Sequence, residues 1–308
     1  MMMAEPIQVP VHVLRGTLRL GESMAKHVSW RTGGVAVRAY VPADIADLAE
    51  FLKSLPAGEP VCMVGLGSNL LVRDGGYRGT VVLTHSTHGA VRMDGDCVYA
   101  EAGAASPKVA RYAANQSYEG GEFLAGIPGT VGGALAMNAG CYGAETWDIV
   151  DRVLTVGRSG ELRKRLPEEF EIGYRHCGLR QGRLGDDVWF AAAWFRFRRG
   201  ERARARRRIT ELLAQRIGSQ PLNLPNAGSV FRNPPGDYAA RMIEACGLKG
   251  CTIGGARISE RHANFIVNAG GRGRAADIEA LIEHARRAVK DRFGIELQVE
   301  VRIVGEAA

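Results

Sequence analysis

Three features of the sequence predict an α+β fold built as three lobes. Short alternating or apolar runs that read as strands are mixed with a few helical patterns, without the regular strand–helix alternation of a doubly wound sheet. Two glycine-rich stretches lie in different parts of the chain and are flanked by strand patterns. At 308 residues the chain is long enough for two or three cores, since a domain typically takes about 100–200 residues.

The first lobe is placed at residues 1–84. Residues 35–42 alternate and read as a strand. Residues 43–55 carry Ile45, Leu48, Phe51, Leu52 and Leu55 at helical spacing. Residues 60–64 and 79–84 read as two further strands. The second lobe is placed at 85–203. Residues 90–94 and 96–101 flank Gly95 as a hairpin, with Asp94-Gly95 as its turn signal. Residues 105–115 read as a helix with Ser106 as N-cap and Pro107 at its first position. A glycine-rich stretch, 120–143, comes next, then strand patterns at 149–156 and 188–198. The third lobe is placed at 204–308. It holds helices at 201–217 (opening just before the boundary), 238–246 and 275–293, a loop at 223–235 and a strand at 295–304.

Composition narrows the function classes. Hydrophobic residues make up 46% and charged residues 24%, ordinary values for a folded globular chain. Glycine is in excess, 40 residues against about 7% in an average protein, as expected where backbone turns sharply or approaches a ligand. The net charge of +7 is local: residues 196–208 hold eight arginines and one acid, Glu201. The bland account of that segment is a solvated helix flank with arginine stems lying over apolar surface. The six cysteines form no CxxC pair, and residues 1–22 have no apolar core like that of a signal peptide, so reduced thiols in a bacterial-type cytosol are expected. No apolar run approaches the length of a membrane span. The histidines show no metal-site spacing; His85 and His88 are read as a solvated loop pair, and no metal is expected.

The first glycine loop, 65–69, is not a phosphate-binding lysine loop, since no Gly-Lys-Ser/Thr follows, nor a dinucleotide fingerprint, because Leu70 stands where a third glycine belongs. The second is Gly126-Ile127-Pro128-Gly129-Thr130-Val131-Gly132-Gly133. Such loops expose successive backbone N–H groups that suit a diphosphate. Each alone could be a set of tight turns; two in adjacent lobes favour a dinucleotide held between them. Ser229 lies among small residues that leave room for a substrate, though a lone loop serine is often a turn former, and no nucleophile elbow surrounds it. Glu300 and Arg302 alternate on one face of an apolar strand, as an exposed pair or as a costly inward one. Tyr174-Arg175 by itself says little.

Together, WRTGG (30–34), GLGSNLLV (65–72), GIPGTVGGALAMNAGCYG (126–143), YR (174–175), NAGSVFRNP (226–234), GLKG (247–250), SERHANFIVN (259–268) and ELQVEVRIVG (296–305) resemble the UDP-N-acetylenolpyruvoylglucosamine reductase family. The resemblance covers nearly the whole chain and matches the shorter subclass. It implies a two-lobe FAD-binding module of the vanillyl-alcohol-oxidase type and a C-terminal α+β substrate domain. It implies non-covalent FAD, NADPH as co-substrate, and reduction of the enolpyruvyl ether to UDP-N-acetylmuramate in peptidoglycan precursor synthesis. Arg175, Ser229 and Glu300 match the family's catalytic positions. Gly65, Leu66, Gly67, Ser68, Asn69, Leu70, Gly126, Ile127, Pro128, Gly129, Gly132, Gly133, Ala139 and Gly140 would line the cofactor. Tyr174, Arg232, Asn233, His262 and Arg302 would meet the substrate. A carboxylate at Glu300 would help near developing charge only with a raised pKa or by orienting a donor. Arg232 and Leu66 depart from the usual lysine and glycine, and His176-Cys177 from the usual small polar residue.

Two rivals belong to other classes. A flavin oxidase of the same fold would share both glycine loops but lack the 226–234 and 300–302 elements. A nucleic-acid binder would use residues 196–208. The expected protein is a cytoplasmic monomer that binds neither nucleic acid nor membrane.

Overall fold

A computed structural model describes residues 14–85 and 89–308; His88 lies outside them. The fold is α+β. Its first sheet runs in the order Thr17–Ser23, Val35–Val41, Tyr77–Leu83, Val61–Val64. The last three strands are mutually parallel, and helix Ile45–Ser54 connects two of them on the apolar stripe read from the sequence. Asp44 caps this helix by accepting from the Asp47 N–H at 2.8 Å. Strand Thr17–Ser23, absent from the sequence reading, joins antiparallel at the edge. Leu18 and Leu20 alternate with Thr17 and Arg19, but Gly21 ends that pattern after two apolar positions, too short a run to mark a strand.

The second sheet is wholly antiparallel, in the order Leu162–Arg165, Val150–Gly157, Val188–Phe195, Cys97–Glu101, Val91–Asp94. Gly95 makes the expected hairpin turn with φ 59°. Helix Ser106–Asn115 follows, but Ala105, not Ser106, is its cap residue. Ser106 is already helical, and its buried hydroxyl has no hydrogen-bond partner. Helix Arg202–Ser219 lays Ala205 and Ile209 on the core of this sheet. The arginines of the basic segment are exposed and partly paired: Arg196 with Asp151, Arg204 with Glu119, Arg208 with Glu211.

The remaining core gathers helices Ala239–Ala245 and Ala275–Phe293 over a small sheet of Thr252–Ile253, Ala256–Ile258 and Ile266–Val267. Trp30, from the other end of the chain, is fully buried in it and donates its indole N–H to Ile266 O at 2.7 Å. The predicted strand 295–304 is cut short. Val299 makes one bridge with Phe231, and only Arg302–Val304 is a strand, parallel to Leu70–Val72 of the first glycine loop. Two partners on different sides divide the segment.

None of the six cysteines is bridged. No helix among the described residues is long and apolar enough to cross a membrane.

The longest helix, Ala275–Phe293, ends in Gly294 at φ 69°, a left-handed terminator that suits glycine. Its start is held from a distance: Asp74 accepts the N–H groups of Ala275 and Ala276 at 3.1 and 2.9 Å. Loss of a side-chain cap costs about 0.5–2 kcal/mol. Asp74→Ala is therefore expected to lower the urea midpoint by a stability loss in that range. An unchanged midpoint would show that the local cap, Asp277 accepting from the Arg274 N–H at 2.9 Å, suffices alone.

Candidate active site

A cleft of about 670 Å³ runs between the first sheet, the second sheet and the carboxy-terminal core. Its walls include 61–70, 126–142 except for a few inward residues, Tyr174, Arg175, part of 215–220, Ser229, Asn233 and Glu300. Every residue predicted to line the cofactor is on this wall, from Gly65 to Leu70 and from Gly126 to Gly140.

The first loop reaches the cleft because it leaves a parallel strand at Val64 and rejoins a ladder at Leu70. Gly67 sits at φ 59°, with its α-carbon so close to the His27 carbonyl and Val28 that a Cβ would collide. Among the described residues, the N–H groups of Leu66, Gly67, Ser68 and Asn69 have no protein partner. The second loop is anchored by Val131 N–H to Ala104 O and Gly132 N–H to Ala102 O, both 2.8 Å. The N–H groups of Gly129 and Thr130 are left free in the same sense. The loops abut, since a Cβ on Gly129 would stand 3.3 Å from Ser68 Oγ. Unspent N–H donors of this kind form a concave surface for an anion.

Arg175 occupies the two-residue turn of the hairpin Phe170–Gly173/His176–Leu179. Its φ is 54°, a left-handed conformation uncommon for a side-chain-bearing residue and concentrated at functional sites. The guanidinium is held by Gly140 O at 2.7 Å, by Asn138 O at 3.4 Å and by Glu300 Oε1 at 3.2 Å. Buried Asn138 donates to Gly173 O at 3.0 Å, fastening this hairpin to the second loop. Tyr174 stays half exposed beside it.

Ser229 and Glu300 are neighbours by backbone pairing. The Glu300 N–H donates to Val230 O at 2.8 Å, and the Arg232 N–H donates to Gln298 O at 2.9 Å. Asn264 clamps the same turn, accepting the Phe231 N–H and donating to Phe231 O. The Ser229 hydroxyl makes no hydrogen bond among the described residues. Glu300 is partly buried, and that burial raises its pKa; Arg175 and then Arg232 oppose the shift without cancelling it. Its partner is Arg175, not the exposed Arg302, whose N–H goes instead to Asn69 O at 3.0 Å.

Two predicted substrate residues are not on the wall. Arg232 stands behind Glu300, near enough to oppose its raised pKa, and its Nε is buried without a partner. His262 packs edge-on against Phe265, centroids 4.7 Å apart, and Phe265 is the one that lines the cleft. Burial lowers the His262 pKa and leaves its Nδ1 unpartnered. Asn233 and Arg302 do reach the wall. The sequence reading passed over Arg216 and Gln220, which also face the cleft. Their signal was an arginine at the inward position of a helical stripe, Ala205, Ile209, Leu212, Arg216.

Thiol chemistry is disfavoured in this cleft. Burial pushes the Cys62 and Cys141 thiols up to about 11 and the Cys177 thiol to about 12, so each is neutral near pH 7 and a poor nucleophile.

Comparison with known proteins gives this geometry a family. Residues 220–304 match the model described as UDP-N-acetylenolpyruvoylglucosamine reductase, C-terminal domain, and residues 37–164 match that of an FAD binding domain. A Thiobacillus denitrificans protein named UDP-N-acetylenolpyruvoylglucosamine reductase is 57% identical over 308 residues, covering 96% of this chain and 94% of its own length. A protein of the same name from Nitrosospira multiformis is 56% identical over 315 residues, covering 96% and 90%. The crystal structure of UDP-N-acetylenolpyruvylglucosamine reductase from Thermus caldophilus aligns with a TM-score of 0.78 at 31% identity, over 94% of this chain and 99% of that one. Likeness of this extent, in sequence and in fold, means that the chain belongs to the UDP-N-acetylenolpyruvoylglucosamine reductase family.

Proposed function

We propose that the cleft holds FAD on its two glycine loops and reduces the enolpyruvyl ether of UDP-N-acetylglucosamine to UDP-N-acetylmuramate, with NADPH as reductant, in the bacterial cytoplasm. The observation that carries the proposal is the set of unspent N–H groups at 66–69 and 129–130, facing the same space as the Arg175–Glu300 pair. An FAD binding domain and reductase relatives make the chain an FAD-containing oxidoreductase. The assignment of residues to cofactor and substrate, and the division at 84 and 203, are parts of this reading. Largely separate cores support the division, although Trp30, Leu71, Ala205, Ile209 and strand Arg302–Val304 cross it, and one further core packs Tyr40, Leu52 and Val82 of the first lobe against Val156, Trp189 and Ala191 of the second.

FAD, when bound, supplies the relay of a hydride from NADPH to the substrate's terminal vinyl carbon. The chain's own residues handle charge and proton. Hydride addition drives electron density toward the carboxylate, so the group receiving it becomes more basic. Arg175, fixed by two carbonyls and Glu300, offers planar N–H donors to that carboxylate. Glu300 orients the guanidinium, and burial raises its pKa against the pull of Arg175. Ser229 holds the proton that the carbon next to the carboxylate takes, which completes addition of one hydride and one proton across the double bond. A hydroxyl is a weak acid in water, so its use requires placement beside the reacting carbon.

Gly129 tests the cofactor assignment. A Cβ there meets only Ser68 Oγ at 3.3 Å and Ile127 at 4.0 Å, whereas one on Gly132 meets Ala102 at 3.0 Å, so Gly132→Val perturbs folding as well. Gly129→Val is expected to keep parental circular dichroism and to bind FAD at least about tenfold more weakly, a loss of about 1.4 kcal/mol. Parental FAD affinity in a folded variant would refute the placement.

Ser229 tests the chemistry. In stopped-flow absorbance, Ser229→Ala should be reduced by NADPH at near-parental speed and should reoxidise with the enolpyruvyl substrate about 10²–10⁴-fold more slowly. Equal slowing of both halves, or of neither, would make Ser229 a turn former.

A further inference from the structure

Helix Arg202–Ser219 turns Ala205, Ile209 and Leu212 inward, and the next position of that stripe, four residues on, is Arg216. Unlike the exposed arginines earlier in the helix, Arg216 is drawn into the wall of the cleft. Its Nε donates to Gln220 Oε1 at 2.8 Å and its Nη1 to Gly126 O, the first carbonyl of the second glycine loop. Its Nη2 makes no hydrogen bond to protein among the described residues.

Several other inward arginines have a carboxylate in ion-pair contact, and Arg232, which has none, acts on the nearby Glu300. Arg175 has Glu300 at 3.2 Å, Arg165 has Glu169 at 2.8 Å and Arg38 has Glu59 at 2.5 Å. Arg216 has no carboxylate within ion-pair distance among the described residues, and the acidic groups that act on it are the Cys141 thiol and the Tyr142 phenol, both with raised pKa values. Burial accordingly lowers its pKa. Leaving a cation desolvated without a counter-charge is costly. A carbonyl and an amide orient it but do not neutralise it. The position beside Gly126, three residues before the free Gly129 N–H, is where an anion on the second loop would supply the missing charge.

We propose that Arg216 is the cationic anchor for a ligand diphosphate at the second glycine loop, with Gln220 and Gly126 O holding its guanidinium toward the cleft. This rests on the proposed function and extends it to a residue outside its motifs. Two expected ligands carry a diphosphate: FAD and the UDP-sugar.

The test uses Arg216→Met and Arg216→Lys in the full chain. FAD affinity is measured by fluorescence quenching on apoprotein. Affinity for the enolpyruvyl UDP-sugar is measured by calorimetry on FAD-saturated protein. Arg216→Met should weaken one of the two at least tenfold, and Arg216→Lys should lie nearer the parent than Met does, since it keeps the charge. The affinity that moves identifies which diphosphate is held. The melting temperature of apo Arg216→Met should equal or exceed the parent's, because an uncompensated cation has been removed. Both affinities within twofold of the parent in Met, or a Lys variant as weak as Met, would overturn the assignment. If the parent itself bound neither ligand, the proposed function would fail first, which is a different result from a binding parent with indifferent variants.

Discussion

The parallel pairing of Leu70–Val72 with Arg302–Val304 is the contact on which the site's construction depends. It joins the first glycine loop to the end of the chain. The junction is tightened by Asn69, whose carbonyl accepts the Arg302 N–H and whose side-chain amide donates to Glu300 O at 3.2 Å. Glu300 is thereby fixed against a loop 231 positions away in the sequence. The same segment then turns to pair with Val230 and Phe231, so the position of Ser229 follows from that of Glu300. Trp30, buried in the carboxy-terminal core with its backbone carbonyl accepting from Asn268 at 2.9 Å, closes the arrangement from the other side. Contacts of such long sequence separation cost loop-closure entropy on folding, and here they set the geometry of the cleft.

Charge in the cleft is arranged sparingly. Besides Arg175, Arg216 and Arg302, the walls present free backbone N–H donors, which suit an anion. Of the carboxylates on the wall, Asp186 is exposed, whereas Glu300 is partly buried and kept next to Arg175. Its elevated pKa shows that burial outweighs the attraction of two arginines. Arg175 is strained at its backbone and satisfied at its side chain, so the cost of its left-handed φ is met by contacts that fix the guanidinium in one place. Cys62, Cys141 and Cys177, all with raised pKa values, also line the cleft. These features suit a reaction in which negative charge appears transiently on a bound acid and the proton comes from an otherwise unengaged hydroxyl.

Much of this was legible in the sequence, for identifiable reasons. Helix Ile45–Ser54, the Gly95 hairpin and the α+β class were readable because apolar periodicity and turn residues are local signals. The glycine loops were readable because their composition has few uses. The edge strand Thr17–Ser23 was not, since Gly21 ends its alternation after two apolar positions. The carboxy-terminal strand was overextended because the alternation of 295–304 is real, while its two pairing partners lie far away in sequence. Ser106 was misplaced by one residue, a shift that local propensity does not resolve. His262 and Arg232 were placed at the substrate by resemblance, and the fold sets them just behind the wall, where Phe265 and Glu300 intervene. Arg216 escaped notice in a strongly basic helix and its flank, where one arginine more carried no contrast.

The central claim is that this cleft carries a flavin which passes reducing equivalents to a sugar-nucleotide ether. Its most direct test is the visible spectrum of the purified native chain, followed without oxygen through two additions. The protein should be yellow, or become so on incubation with FAD. NADPH should bleach it, and the enolpyruvyl UDP-sugar should restore the colour in one turnover. A chain that stays colourless and takes up no FAD, or a bleached flavin that recovers only when oxygen is admitted, would contradict the account.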